Sequence, residues 1–311
     1  MLKRILVPLD GSPLAEAVLP QIKELAALHK AEVVLLRVAL AHTLPGVNAV
    51  DAQVRAVDEA QTYLATLETD LVAHGLAVRS VVRYGHAAEE ILDHARAGEV
   101  DLIAMSTHGR SGIRRWVVGS VAESVLRHAP VPVLLVRLTG PVPVHATPAQ
   151  AGVTTPGLPD ASTAVPIHHI LCPVDLTPAC REVMAAAEAM ATRFGADLTI
   201  LHAVYDPLDA TCSHIPHPPM EQLREEMIQV AEAKLRRQVR RALGPSPRAS
   251  LVVVAGSPLQ QILRFVRAHS VDLIVMGTEG KTGLDHMIMG STAERVVRTA
   301  PCPVLSIRAA A

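Results

Sequence analysis

Two segments of this 311-residue chain carry residue types at a spacing that suits phosphate chemistry. Near residue 280 the chain reads GTEGKTGLDHMIMGST: Gly277, two residues, Gly280, nine residues, Gly290, then Ser291. Near residue 110 it reads STHGRSGIRRWVVGSV, with Gly109, nine residues, Gly119 and Ser120, but with Ser106 at the first glycine position. Glycine lets the backbone take unusual φ values and approach a ligand closely. A Gly-Ser pair opening a helix offers unpaired N–H groups, a hydroxyl and the positive dipole end, which together attract phosphate. The same glycines could serve tight turns alone. Recurrence of the spacing after two matching apolar runs favours a binding loop.

The two loops differ in charge. The first holds Arg110, Arg114 and Arg115 beside His108, whereas the second sets Lys281 against Glu279 and Asp285. Electrostatics therefore favour a polyanion at the first loop and glycine geometry favours the second, where a divalent cation should matter more. Arg114 and Arg115 equally suit a solvated loop face. His108 and Glu279 hold equivalent places, and His108 could meet a phosphate or a proton.

The elements that must position these loops come in two copies. KRILVPLDGSPLAEAVL is echoed by HHILCPVDLTPACREVM 165 residues later, pairing Asp10 with Asp175; VDLIAMSTHGRSG and APVPVLLVR are echoed by VDLIVMGTEGKTG and APCPVLSIR 171 residues later. Between the copies runs a stretch rich in Pro, Thr, Ala and Gly whose only charged residue is Asp160, a composition that suits a semi-extended linker. The expected organisation is a domain at 1–140, a linker at 141–165 and a second domain at 166–311.

Within each copy, apolar Val/Ile/Leu runs alternate with helical patterns, which argues for a parallel sheet covered on both faces. In the first copy strands are expected at Arg4–Leu9, Glu32–Val38, Val78–Arg83, Val100–Met105 and Val131–Val136. Helices are expected from Ser12-Pro13 to about His29, over Val50–His74, over His86–Ala97 and over Ser120–His128. In the second copy Thr177-Pro178 and Ser257-Pro258 open helices and Gly244 closes one. The fold class is α/β: two tandem doubly wound domains, each a five-stranded parallel sheet with helices on both faces. In such open sheets ligands sit at the carboxyl ends of the strands, where strand order reverses.

Composition narrows the function. Half the residues are hydrophobic and 19% are charged, which fits a globular chain. Six aromatics leave few rings for stacking single-stranded nucleic acid. A net charge of −1 gives no field to draw nucleic acid or an anionic membrane. No apolar run approaches the ~18 residues that span a bilayer. The opening run is too short for a secretory segment. The four cysteines (Cys172, Cys180, Cys212 and Cys302) form no C-x-x-C pair and suit a reducing, cytoplasmic setting.

Dedicated catalysis is not indicated. There is no G-x-x-x-x-G-K-[ST], and the first strand leads into Asp-Gly-Ser-Pro or Asp-Leu-Thr-Pro rather than G-x-G-x-x-G. Asp10 and Asp175 read as ligand-orienting or helix-capping groups rather than bases. Cys212, His214 and His217 match no standard zinc spacing and lack a fourth ligand. His168-His169 reads as a solvated strand start. The charged helix Met220–Leu243, ending RRQVRR, reads as a salt-bridged outer face.

The opening strand ending Pro-x-Asp, the G-x2-G-x9-G-[S/T] loop and the closing Ala-Pro-x-Pro-Val strand together resemble the universal stress proteins, here in a tandem form that covers everything except the linker. The resemblance implies an ATP-binding module for regulation or stress response, with the loop holding ribose and phosphates. An Asp after the first strand and a small apolar residue after the second would hold the adenosine part. In this chain the implied nucleotide-binding residues are Asp10, Val38, Ser106, Gly109, Arg110, Gly119 and Ser120 in the first copy. In the second they are Asp175, Ala203, Gly277, Gly280, Lys281, Gly290 and Ser291. Magnesium would accompany the nucleotide, and no other metal site is implied. The resemblance also implies pairing through the last strands, within the chain or as a homodimer. Two other readings stand beside it: a slow ATPase or phosphotransferase, and a dimeric interaction protein that binds no nucleotide.

Overall fold

The computed structural model describes residues 2–40, 48–98, 100–107, 118–137, 166–206, 218–245, 247–278 and 289–308. The chain forms two compact units. One is Met1–Arg114 with Val136–Pro166, and the other is Arg115–Leu135 with Ile167–Ala311.

The first unit runs β1 (Arg4–Pro8), α1 (Pro13–Glu16), α2 (Leu19–His29), β2 (Glu32–Val38), α3 (Ala49–Ala73), β3 (Val78–Arg83), α4 (Ala87–Ala97) and β4 (Leu102–Ser106). Its strands pair in parallel in the order β3-β2-β1-β4, and Val136 O accepts from Thr107 N (3.0 Å) just beyond β4. Ile5, Leu6, Val33, Leu35 and Ile103 are fully buried, as expected of strands covered on both faces.

The helix expected from Ser12 to His29 is broken. Ser12 caps α1, its hydroxyl accepting from Ala15 N (3.1 Å), but the helix stops after Glu16 and restarts at Leu19. Pro20 explains the break: it has no N–H to continue the ladder, and its ring crowds the carbonyl four residues back, so it is tolerated only in a first turn.

The second unit runs α5 (Ser120–His128), β5 (Val133–Val136), β6 (His169–Pro173), α6 (Cys180–Phe194), β7 (Asp197–Val204), α7 (Pro218–Leu243), β8 (Ala249–Ala255), α8 (Pro258–Ala268), β9 (Leu273–Gly277), α9 (Ser291–Thr299) and β10 (Val304–Ile307). Five strands are parallel in the order β10-β9-β6-β7-β8, and β10 also pairs antiparallel with β5, Val304 opposite Leu135. The chain steps from β6 outward to β7 and β8, then returns to β9 and β10 on the other side of β6. Right-handed crossovers in opposite directions lie on opposite faces. Accordingly α6 packs on α7, and α8 on α9. The order reverses between β6 and β9.

That central pair is fixed in the same way in both units. Asp101 Oδ2 accepts from Lys3 N (2.5 Å) and Arg4 N (2.8 Å), and Asp272 Oδ2 accepts from His168 N (2.8 Å) and His169 N (2.9 Å). Each carboxylate thereby staples the start of the first strand to the segment entering the fourth. His169, expected as a solvated strand start, is tied further. Its ring meets His269 O (3.0 Å) and Thr199 Oγ1 (2.9 Å) and lies edge-on to Phe265. Among the described residues no helix is long and apolar enough to cross a membrane.

Candidate functional site

In the second unit the carboxyl ends of β6, β7 and β9 meet the start of α9 around a cavity of about 260 Å³. This is close to the lower end of ligand pockets, roughly 300–1,000 Å³. Asp175, Ala203, Gly277, Gly290 and Ser291 all line it, so five of the seven residues expected in this copy stand together. Gly280 and Lys281 lie outside the described residues. So do Glu279 and Asp285, and Cys212, His214 and His217.

Asp175 follows β6 directly. Leu176 then takes a left-handed φ of +64°, which turns the chain so that Asp175 Oδ1 accepts from both Thr177 N (3.0 Å) and Thr177 Oγ1 (2.6 Å). Cys180 Sγ donates to the same oxygen at 3.0 Å. Oδ2 is buried and has no hydrogen-bond partner among the described residues. A buried acceptor left so is costly.

The helix expected at Thr177-Pro178 begins later, at Cys180. Residues 176–179 form the turn that wraps the carboxylate instead. Gln238 Nε2 holds that turn by donating to Leu176 O (2.6 Å).

Ala203 ends the wall on β7, paired with Val254, and the buried His202 beside it donates Nδ1–H to Val174 O (2.8 Å). Elsewhere in the lining Gly290 N donates to Thr278 O (2.8 Å), tying the end of β9 to the start of α9. Gly290 is the N-cap of α9 and Ser291 its first residue, so the helix's unpaired N–H groups open at the cavity rim. Pro258, Ile262, Val183 and Met276 supply aliphatic walls. The site therefore brings together a carboxylate with one buried oxygen unpartnered among the described residues, a helix N-terminus and aliphatic surface.

Sequence reasoning did not single out Cys180, His202 or Thr278. The repeat holds the only clue to Cys180, since Ala15 stands in its place in the first copy. Burial pushes the Cys180 thiol up, and its contact with Asp175 adds to this, so it stays protonated at neutral pH. Cys172 is raised by burial too, and Cys302 is pushed up to about 12. All three are free and buried. Among the described residues no group of His, Cys, Asp and Glu is arranged to hold a metal.

In the first copy Asp10 repeats the hook: Oδ1 accepts from Ser12 N (2.9 Å) and Ser12 Oγ (2.6 Å), with Gly11 at a φ of +83°. Val38 ends β2 opposite Arg83, and buried Ser106 ends β4. In the second compact unit, Gly119 caps α5 and Ser120 opens it. His108, Gly109, Arg110, Arg114 and Arg115 lie outside the described residues.

The outer charges are ordinary. On α7, Arg236 pairs with Glu232 (3.7 Å), and Arg224 reaches Asp206 (3.2 Å).

The sequence profile of the universal stress protein family matches residues 1–137 and again 166–308. A universal stress protein of Thermus aquaticus is 34% identical over 139 residues, 45% of this chain and 97% of that protein. One from Mycolicibacterium smegmatis is 24% identical over 316 residues, covering 98% of this chain and 96% of its own length. The crystal structure of a universal stress protein from Archaeoglobus fulgidus superposes with a TM-score of 0.69 at 20% identity, over 99% of this chain and 98% of that one.

Proposed function

The chain belongs to the universal stress protein family, and from that premise we propose that it is an ATP-binding module whose occupancy regulates a stress response. The observation that carries this reading is the second-unit cavity. Asp175, with a buried oxygen unpartnered among the described residues, lines it together with the α9 N-terminus and Ala203. Asp175 would meet the base, Ala203 and the neighbouring aliphatic groups would flank it, and Gly290 with Ser291 would receive phosphate oxygens. Gly277 at the end of β9 leaves room for close approach. With no Phe, Tyr or Trp among the described lining residues, base recognition falls to hydrogen bonds and aliphatic contact.

The first copy takes part in the same reading through Asp10, Val38, Ser106, Gly109, Arg110, Gly119 and Ser120, with Gly280 and Lys281 completing the second. Magnesium accompanies the nucleotide, chiefly at the second copy. Residues 1–140 and 166–311 act as the two modules, joined by 141–165. The protein works in the cytoplasm, its terminal strands serving as pairing edges within the chain or in a homodimer. Mass spectrometry of ligand released from the freshly purified, denatured chain tests the reading. ATP or ADP is expected, and added ATP should raise the melting temperature. Absence of both effects would remove it.

A further inference from the structure

The second Asp hook carries a side-chain donor, the Cys180 thiol, at the position where the first copy has Ala15. Asp10 Oδ1 receives Ser12 N–H and O–H, whereas Asp175 Oδ1 receives the corresponding Thr177 groups and the Cys180 thiol as well. We infer that Cys180 is a positioning residue for the ligand of the second copy. Its thiol proton completes the occupation of Asp175 Oδ1 and leaves Oδ2 as the unoccupied acceptor of a residue that lines the cavity, which selects a base edge donating N–H over one offering a carbonyl. This rests on the nucleotide reading above and adds to it the residue that sets the selectivity.

Geometry carries the argument. Three donors at 2.6–3.0 Å converge on one oxygen from two directions, Thr177 along the turn and Cys180 from the first residue of α6. A carboxylate held so cannot easily rotate to exchange its oxygens. Oδ2 is buried and unpartnered among the described residues, and both Asp175 and Cys180 line the cavity. A carboxylate accepts and does not donate. A 6-amino purine can therefore satisfy Oδ2, while a 6-oxo purine turned the same way places a carbonyl against it. Repulsive pairing of this kind is a strong source of discrimination. Cys180 is 8% exposed, and burial keeps its proton in place, so the donor persists at neutral pH. Without it the carboxylate would have one fewer restraint and could turn to relieve the mismatch.

The test uses the full chain, with 8-azido-ATP as a photolabel and ATP or ITP as competitor. Labelled peptides are assigned to each copy by mass spectrometry. In the wild type, ATP is expected to protect second-copy peptides at least tenfold better than ITP. Cys180→Val, which keeps the side-chain volume and removes the donor, should cut that preference threefold or more, whereas Cys180→Ser should hold it within twofold. First-copy peptides should respond alike in all three proteins. An unchanged ATP-over-ITP ratio in Cys180→Val, with ATP still protecting, overturns the inference and leaves the nucleotide reading standing. Equal loss in Cys180→Ser and Cys180→Val also overturns it, because the role would then be packing. Failure of the wild type to bind either nucleotide overturns the nucleotide reading, and the inference with it.

Discussion

The turn after the opening strand is built twice in this chain, and the builds differ at three linked positions. In the first copy Gly11 takes a φ of +83°, and the Arg37 guanidinium lies 3.1 to 3.2 Å from where a Cβ on Gly11 would stand. Arg37 is also 4.9 Å from the centre of the Tyr63 ring, whose hydroxyl donates to Glu16 (2.8 Å). In the second copy Leu176 takes a φ of +64°, His202 replaces Arg37 and Cys180 replaces Ala15. What both keep is the aspartate hook onto the residue two positions on. The hook demands a left-handed residue in the middle; the identity of that residue depends on its neighbour. Arg37 can cover the turn only because glycine has no Cβ, and a leucine fits where the shorter histidine stands. The second copy accepts backbone strain and adds a thiol donor, whereas the first avoids the strain and spends its turn on a cation–aromatic clasp.

The comparison can be broken at the hook itself. Asp175→Ala removes the oxygen a ligand donor would meet and leaves the Thr177 and Cys180 donors facing nothing. Loss of a hydrogen bond to a charged group costs about 1.5–3 kcal/mol, so second-copy nucleotide affinity should fall roughly 10- to 100-fold by calorimetry, with first-copy affinity retained. Next in size is a graft. Gly11→Leu forces a side chain into left-handed backbone beneath Arg37 and should destabilise the first copy by about 1–2 kcal/mol in urea unfolding. Adding Arg37→His should recover part of that loss, since the two sites touch. If the single variant is as stable as wild type, the account of the linked positions is wrong.

The reverse change is smaller. Leu176→Gly relieves the strained φ, but glycine also has more freedom to lose on folding. A net gain of about 0.5–1 kcal/mol is expected from the same unfolding curves.

The smallest effect separates the copies by pH. His94 is buried, its Nε2 has no hydrogen-bond partner among the described residues, and its Nδ1 faces Arg83 (3.4 Å); Phe265 stands in its place in the second copy. Burial first, then Arg83, Arg79 and Arg4, lower its pKa below the usual 6.5. The unfolded chain therefore binds the proton more readily. The stability His94 confers is full above its unfolded pKa and is lost as pH falls from there toward the folded value. Melting between pH 7 and pH 5 should drop less in His94→Phe than in the wild type.

Much of this molecule is readable from residue pattern because the copies check one another. Glu32–Val38, Val78–Arg83 and Ser120–His128 match their expected limits, since apolar runs and Gly-Ser starts are local signals. The α1–α2 break is not legible from periodicity, which runs through Pro20 without interruption. Asp175 was legible from its place after a strand. Cys180 was not, for its role comes from a turn that brings residue 180 back onto residue 175. His94 carries no signal of its own within the expected helix His86–Ala97, and only packing makes it buried.

The aspartate staples have a consequence for synthesis on the ribosome. Asp101 reaches back 98 and 97 residues to Lys3 and Arg4, and Asp272 reaches 104 and 103 to His168 and His169. At about 5–20 residues per second, the wait between making the first strand and making its staple lasts on the order of 5–20 s. During that time β1 and β6 can pair on one side only, and the strand that ends up at the centre of its sheet is temporarily an apolar edge. Nascent chains stalled before Asp101 or before Asp272 should therefore be the ones that chaperones hold.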